Sequence, residues 1–194
     1  MKAVLASSNA GKVREFAALL AARNIELIPQ SAFGIVTPAE TGATFRENAL
    51  LKARHAAALS GLPALADDSG IVVDALGGRP GVRSARYAGE HASDADNVEL
   101  LLRELAGLSA EQRRARYRCV LVFVRTAADP DPIRTEGVWE GRVLTAPRGA
   151  GGFGYDVIFQ PDGCEWSAAQ LPAAQKNAVS HRAQALRALL AALT

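Results

Sequence analysis

Two long runs rich in β-branched and aromatic residues, RARYRCVLVFVRT from Arg114 and IRTEGVWEGRVL from Ile133, stand on either side of ADPDP. Val, Ile, Tyr, Phe and Trp suit a pleated, half-buried surface, and the Asp/Pro cluster between the runs is turn chemistry. The pattern predicts two long neighbouring strands, so a fold for this chain has to be built around a sheet.

Shorter apolar runs alternate with helical patterns around that pair. KAVLAS reads as a buried first strand, GKVREFAALLAAR as an amphipathic helix and IELIP as a second strand. After a loop through Pro38 and Gly42, TFRENALLKARHAAALS opens with a capping box, Thr44 at the N-cap and Glu47 at N3, and ends near Gly61. PALAD and GIVVDAL read as two short strands flanking Asp67-Asp68. GGRPGVRSARYAGE reads as a long loop, and SDADNVELLLRELAGL as a helix opened by Ser93 and closed near Gly107. A glycine-rich loop, APRGAGGFGYDVIF, leads into a short strand. A polar stretch through Lys176 then precedes the last helix, HRAQALRALLAAL. The class is mixed α/β, and with 194 residues and no repeat or linker the chain reads as one domain, 1–194.

Composition narrows the function classes. A net charge of +2 is too small to imply nucleic-acid binding, although RRARYR, with Tyr117 among its arginines, offers a basic strand edge with a solvated face. Cys119 and Cys164 are the only cysteines and lie in no CxxC spacing, which argues against a zinc site or a disulfide framework. The apolar N-terminal stretch is too short for a signal peptide, and no run reaches membrane-spanning length. A cytoplasmic protein with no membrane and no nucleic-acid partner is the expectation.

Four constellations could carry chemistry. SSNAGK, comprising Ser7, Ser8, Asn9, Ala10, Gly11 and Lys12, lies at a strand-to-helix junction, where backbone N–H groups favour anions. It lacks P-loop spacing, and an ordinary N-cap with Asn9 in a turn is an equal reading. Glu40, Asp67 and Asp68 supply the hard oxygen ligands that Mg²⁺ prefers, and a metal would relieve the repulsion of adjacent carboxylates; a solvated Asp-Asp-Ser-Gly turn is the plainer reading. Lys52, Arg86, Lys176, His181 and Arg182 could serve a polyphosphate, with Ser180 to Arg182 opening the last helix, or be ordinary surface residues. In GGFGYD, glycines allow close backbone approach to a flat ligand, and Phe153 and Tyr155 could stack on a base or simply fill a core. Together these are the parts of a metal–nucleotide site.

SSNAGK, ETGATFRENALLKARHAA, LADDSGIVVDALGGRPGVRSARYAG, GGFGYDVIFQPDG and QKNAVSHRAQAL, in that order, resemble the inosine triphosphatase family of non-standard purine nucleoside triphosphate pyrophosphatases. The likeness runs from about Lys2 to Leu190. It implies Mg²⁺-dependent hydrolysis of XTP, ITP and dITP to the monophosphate and pyrophosphate, which cleanses the nucleotide pool. It also implies a homodimer and an elongated mixed sheet with flanking helices, its two lobes set around a central nucleotide-binding cleft. By the same resemblance Ser7 to Lys12 hold the triphosphate with Lys52 nearby. Glu40 and Asp68 bind Mg²⁺, Asp68 is the proton acceptor, and Ser69 lies beside it on the substrate. Phe153, Gly154, Tyr155, Asp156, Lys176, His181 and Arg182 surround the base and sugar, where Arg182 could meet a 6-oxo group. Two departures from the family pattern are Ala39-Glu40, where relatives often carry two acidic residues, and Arg83, where a Tyr or aliphatic residue is common. The rival readings are a Maf-type nucleotide pyrophosphatase, against which GGFGYD and KNAVSHR argue, and a non-catalytic nucleotide-binding regulator, against which Glu40, Asp68 and Lys12 argue.

Overall fold

The structure, a computed structural model, describes residues 2–20 and 25–193. In chain order the elements are β1 (Lys2–Leu5), α1 (Ala10–Leu20), β2 (Glu26–Pro29), α2 (Phe45–Ser60) and β3 (Ala64–Val73). They continue with α3 (Asp94–Glu104), β4 (Arg114–Val124), β5 (Ile133–Val143), β6 (Phe159–Pro161), α4 (Ala173–Val179) and α5 (His181–Ala192). The strands form one sheet in the order β2-β1-β3-β4-β5-β6. β1 is parallel to β2 and to β3, whereas β5 and β6 are antiparallel, so the sheet is mixed. Parallel neighbours need a crossover, and α1 supplies it between β1 and β2. The fold is mixed α/β with flanking helices, as the alternation of patterns requires. Among the described residues no helix is long and apolar enough to cross a membrane.

Local chemistry explains the ends of α2 and the start of α3. Thr44 accepts the Glu47 backbone N–H while the Glu47 carboxylate accepts that of Thr44, the reciprocal cap read from the sequence, and Gly61 closes α2 in the left-handed region at φ 70°. Ser93 and Asp96 make the same box at the start of α3. The first helix is described over Ala10–Leu20; its expected continuation through Ala21, Ala22 and Arg23 lies outside the described residues.

Three expectations change. PALAD and GIVVDAL are not two strands around a turn: residues 64–73 form one unbroken strand, β3, with the aspartates inside it. β3 lies between β1, which it meets through Ala64 and Leu65, and β4, and each aspartate has a cationic partner (below), so Asp-Asp-Ser-Gly has no need to reach solvent as a turn. β4 is an interior strand, not an edge. Its Arg114 is paired with Asp162 at 2.8 Å and its Arg116 with Asp74 at 2.9 Å and Glu140 at 3.1 Å, while Arg113 is buried and donates to the carbonyls of Leu105, Leu108 and Leu144. Finally, the stretch through Lys176 is helical, α4.

The chain divides into two compact units, with one boundary falling between Asp68 and Ser69 inside β3. The first unit takes the chain up to Asp68, Cys119–Gly137, and the segment from Arg182 onward. Its core joins Leu5, Phe16, Leu65, Leu121, Phe123, Leu186 and Leu189. Burying an apolar side chain of this size contributes roughly 1.5–3 kcal/mol. In α2, Ala49, Ala53 and Ala56 are wholly buried at helical spacing. Small side chains at these positions let the helix lie close to β1.

The second unit, Ser69–Arg118 with Val138–His181, is built on Ile71, Val73, Leu101, Leu105, Tyr117, Trp139, Ile158 and Phe159. Here the glycine- and arginine-rich segment folds back on β3 rather than looping free. Its 3₁₀ turn, Gly81–Arg86, presents Ser84 Oγ to the Ile71 backbone N–H at 3.0 Å.

Candidate active site

In the first unit, Ser7–Lys12 makes the turn from β1 into α1. Asn9 is the cap: its side-chain oxygen accepts the Lys12 backbone N–H at 3.0 Å, and Ser7 Oγ accepts that of Asn9 at 3.2 Å. The cap leaves Ser8, Asn9 and Ala10 exposed and Gly11 and Lys12 half-buried at the positive end of the helix. Gln30, which nothing in the sequence marked, is buried and donates to Ser8 Oγ at 2.8 Å and Thr37 Oγ1 at 2.6 Å. It thereby fixes the hydroxyl of the exposed turn.

Asp67 and Asp68 do not face each other. Successive strand residues point to opposite sides, and the two carboxylates find different helices. Asp67, 1% exposed, meets Lys12 Nζ of α1 at 2.8 Å and has Arg182 Nε of α5 at 3.8 Å. Asp68 meets two residues of α2: Lys52 Nζ at 2.8 Å on Oδ1, and Asn48 Nδ2 at 3.3 Å on Oδ2. Each carboxylate thus has its own cation, Lys12 for Asp67 and Lys52 for Asp68, so the two do not stand as a repelling pair in a turn.

The electrostatics follow this split. Burial alone would raise the Asp67 pKa, but Lys12, Arg182 and Lys52 overcome it and hold the carboxyl well below the usual carboxylate range. For Asp68 burial wins: with Glu40 adding to it and Lys52 opposing, the pKa is pushed up to about 6. Burial depresses Lys52, yet Asp68, Asp67 and Glu40 together raise it above its ordinary value.

Lys52 Nζ also meets Glu40 Oε1 at 2.7 Å, so Glu40 and Asp68 share one ammonium. Two carboxylates gathered on one cationic centre are a donor set that suits Mg²⁺, which takes one or two carboxylates and keeps its other positions for water and phosphate oxygens. Among the described residues no three acidic, His or Cys side chains form a metal cage. A cation on Glu40 and Asp68 would draw its remaining ligands from water or substrate.

Arg182 opens α5, as its motif predicts, and belongs to this first unit. Its Nη1 meets Glu15 of α1 at 2.8 Å. The structure thus groups Arg182 with Lys12 and Asp67, whereas the sequence grouped it with the base-facing residues.

Those residues lie in the second unit. Asp156, 3% exposed, accepts the Phe153 backbone N–H at 2.9 Å and pairs with Lys176 Nζ at 2.6 Å. Lys176 Nζ in turn lies 5.2 Å from the centre of the half-buried Phe153 ring. The loop is tight because Gly152, at φ 73°, sits where an added Cβ would strike the Asp156 carboxylate. Asp94 accepts the Gly154 N–H at 2.7 Å. Tyr155 is a core residue whose hydroxyl donates to the Ser84 carbonyl at 2.8 Å, which leaves Phe153 as the ring a flat ligand could use. His181 is 1% exposed and stacked at 5° on Tyr117, 4.6 Å between centres, a core placement as well. Ser69, half-buried, is the next strand residue after Asp68.

Gln30, Asn48 and Glu15 escaped the sequence reading. Asn48 and Lys52 are four apart in a helix the sequence does predict, so helical spacing was a usable signal for Asn48; nothing local marks Gln30.

Comparison with known proteins identifies the family. The model of the Ham1 family matches residues 3–192. The chain is 57% identical to the dITP/XTP pyrophosphatase of Methylococcus capsulatus, over 99% of this chain and 96% of that protein, and 53% identical to the one from Shigella flexneri, over 99% and 98%. Among solved structures, a HAM1 protein from Coxiella burnetii superposes with a TM-score of 0.91 at 47% identity, covering 100% of this chain and 98% of that one. A nucleoside-triphosphatase/dITP/XTP pyrophosphatase from Mycobacterium abscessus gives 0.78 at 41%, covering both chains fully. With a whole-chain family match and relatives above half identity, this chain belongs to the Ham1 family.

Proposed function

We propose that the chain hydrolyses the non-standard purine nucleoside triphosphates XTP, ITP and dITP to the monophosphate and pyrophosphate, with Mg²⁺ as cofactor. The observation that carries the reading is the division of labour in β3: Asp67 organises cations, while Asp68 joins Glu40 around Lys52. Lys12, with the Ser7–Lys12 turn, binds the triphosphate, and Arg182 supplies a second charge beside the same aspartate. Glu40 and Asp68 would hold the magnesium, which when bound polarises phosphoryl oxygens and neutralises charge on the departing pyrophosphate.

Water adds to the α-phosphorus, the bond to the bridging oxygen breaks, and pyrophosphate leaves. Asp68 takes the proton of that water. Phe153 offers its ring to the base, with Lys176 and Asp156 holding the loop. Donors around C6 favour the carbonyl of hypoxanthine and xanthine, whereas adenine would set its amino group against them.

Pyrophosphate release on a panel of nucleotides, with and without Mg²⁺, tests the reading. ITP and XTP should exceed ATP, whose C6 amino group would face those donors, in kcat/KM by on the order of a hundredfold, and should exceed GTP, which shares the 6-oxo group, through contacts around C2. Equal rates on all four overturn the selectivity, and full activity in chelator overturns the cofactor. A homodimer and a cytoplasmic location complete the reading on the family resemblance; sedimentation velocity tests the first.

A further inference from the structure

We propose that Asn48 is a positioning residue that locks the Asp68 carboxylate and the loop carrying Glu40 into one arrangement for a divalent cation. The inference rests on the metal assignment above.

Asn48 is wholly buried and uses both ends of its carboxamide. Nδ2 donates to Asp68 Oδ2 at 3.3 Å, and Oδ1 accepts the Gly42 backbone N–H at 2.8 Å. One side chain therefore ties a carboxylate on β3 to a loop residue two positions after Glu40.

The loop end of this tie is built for close approach. A Cβ added to Gly42 would lie 2.6 Å from Glu47 Cβ and 2.7 Å from Asn48 Oδ1, so only glycine seats the loop on the helix. The next two residues are held too, since the Glu47 carboxylate accepts the backbone N–H of Ala43 at 2.7 Å and of Thr44 at 3.1 Å. At the strand end, Asn48 and Lys52 stand one helical turn apart and take different oxygens of Asp68, which fixes the rotation of the carboxylate about its own axis. Lys52 alone would leave that rotation open. A cation arriving between Glu40 and Asp68 displaces the ammonium from at least one of them, and Asn48 is the contact that survives the exchange. Partners of this kind, which touch a ligand residue rather than the metal, typically carry about 10–100-fold in metal affinity.

The test uses two variants that cut the tie at different ends. Asn48→Ala removes both contacts. Gly42→Ala leaves α2 and Asn48 in place and displaces only the loop, so it remains informative if Asn48→Ala fails to fold. Mn²⁺ binding to the substrate-free protein, read by electron paramagnetic resonance, needs no turnover; the Mg²⁺ concentration for half-maximal ITP hydrolysis is read in parallel. We expect the Mn²⁺ Kd and the half-saturating Mg²⁺ to rise together by about tenfold or more, with the KM for ITP at saturating Mg²⁺ changed much less. A Kd within threefold of the parent in each folded variant, or a wild-type chain that takes up no Mn²⁺, overturns the proposal. A fall in kcat with unchanged metal affinity overturns it as well. If wild-type protein binds Mn²⁺ but ignores ITP, the proposed function fails and the positioning role is still judged by the Mn²⁺ data.

Discussion

Lys52→Met separates the charge of Lys52 from its bulk. The side chain is 5% exposed and holds Glu40 at 2.7 Å and Asp68 at 2.8 Å. Methionine keeps the aliphatic stem and leaves two carboxylates facing the space where one ammonium stood. Removing one partner of a buried pair costs about 3–5 kcal/mol, because the remaining charge loses its compensation without regaining water. Glu40, with 20% of its side chain exposed, can turn partly to solvent, so the lower end, about 3 kcal/mol, applies. For a chain of this size that corresponds to roughly 6–12 °C in Tm. The informative part is the rescue. A divalent cation can take the place of the ammonium, and a ligand at a hundred times its Kd returns about 2.7 kcal/mol to the folded state. Scanning calorimetry with and without Mg²⁺ should show the variant melting well below the parent in chelator and gaining more from Mg²⁺ than the parent does. If Lys52→Met melts within a degree or so of the parent, or if Mg²⁺ raises both equally, the reasoning about a shared ammonium is wrong.

Asp68→Asn keeps shape and loses the charge that binds metal and takes the proton, so kcat for ITP should fall by about 10²–10⁴ while circular dichroism stays native; near-parental turnover would refute the role. Lys12→Ala should lower kcat/KM for ITP and for ATP by similar factors, since the triphosphate is common to both. Arg182→Ala, which removes a charge beside the same Asp67, should likewise lower both by similar factors, and a much larger loss on ITP in a steady-state comparison would move Arg182 to the base. Gly152→Ala, which drives a methyl group into the Asp156 carboxylate at a backbone angle few side chains adopt, should raise the KM for ITP several-fold without touching the Mn²⁺ Kd; an unchanged KM would remove the Phe153 loop from the base.

What the sequence determined by itself is local. The Thr44–Glu47 box, the Gly61 stop, the Ser93 cap, the long strands on either side of ADPDP and the turn at Asn9 all follow from hydrogen-bonding groups and backbone preferences within a few residues of each other, and each stands where the pattern places it. The motif residues were legible as a set for the same reason. Their partnerships were not. Asp67 and Asp68 look like a repelling pair in a turn until β1 and β4 are hydrogen-bonded on either side of β3, at which point the alternation of a strand sends one to α1 and α5 and the other to α2. Tyr155 reads from the sequence as a base contact or a core ring and His181 as a ligand contact or a surface residue, and only the fold shows that both are buried, Tyr155 in the second core and His181 stacked on Tyr117. Arg182, adjacent in sequence to His181, folds with Lys12 instead, through a contact to Glu15 from the opposite end of the chain. A buried charge is stable only beside its counter-charge, and which counter-charge that is depends on contacts between distant segments, so only the tertiary structure could decide it.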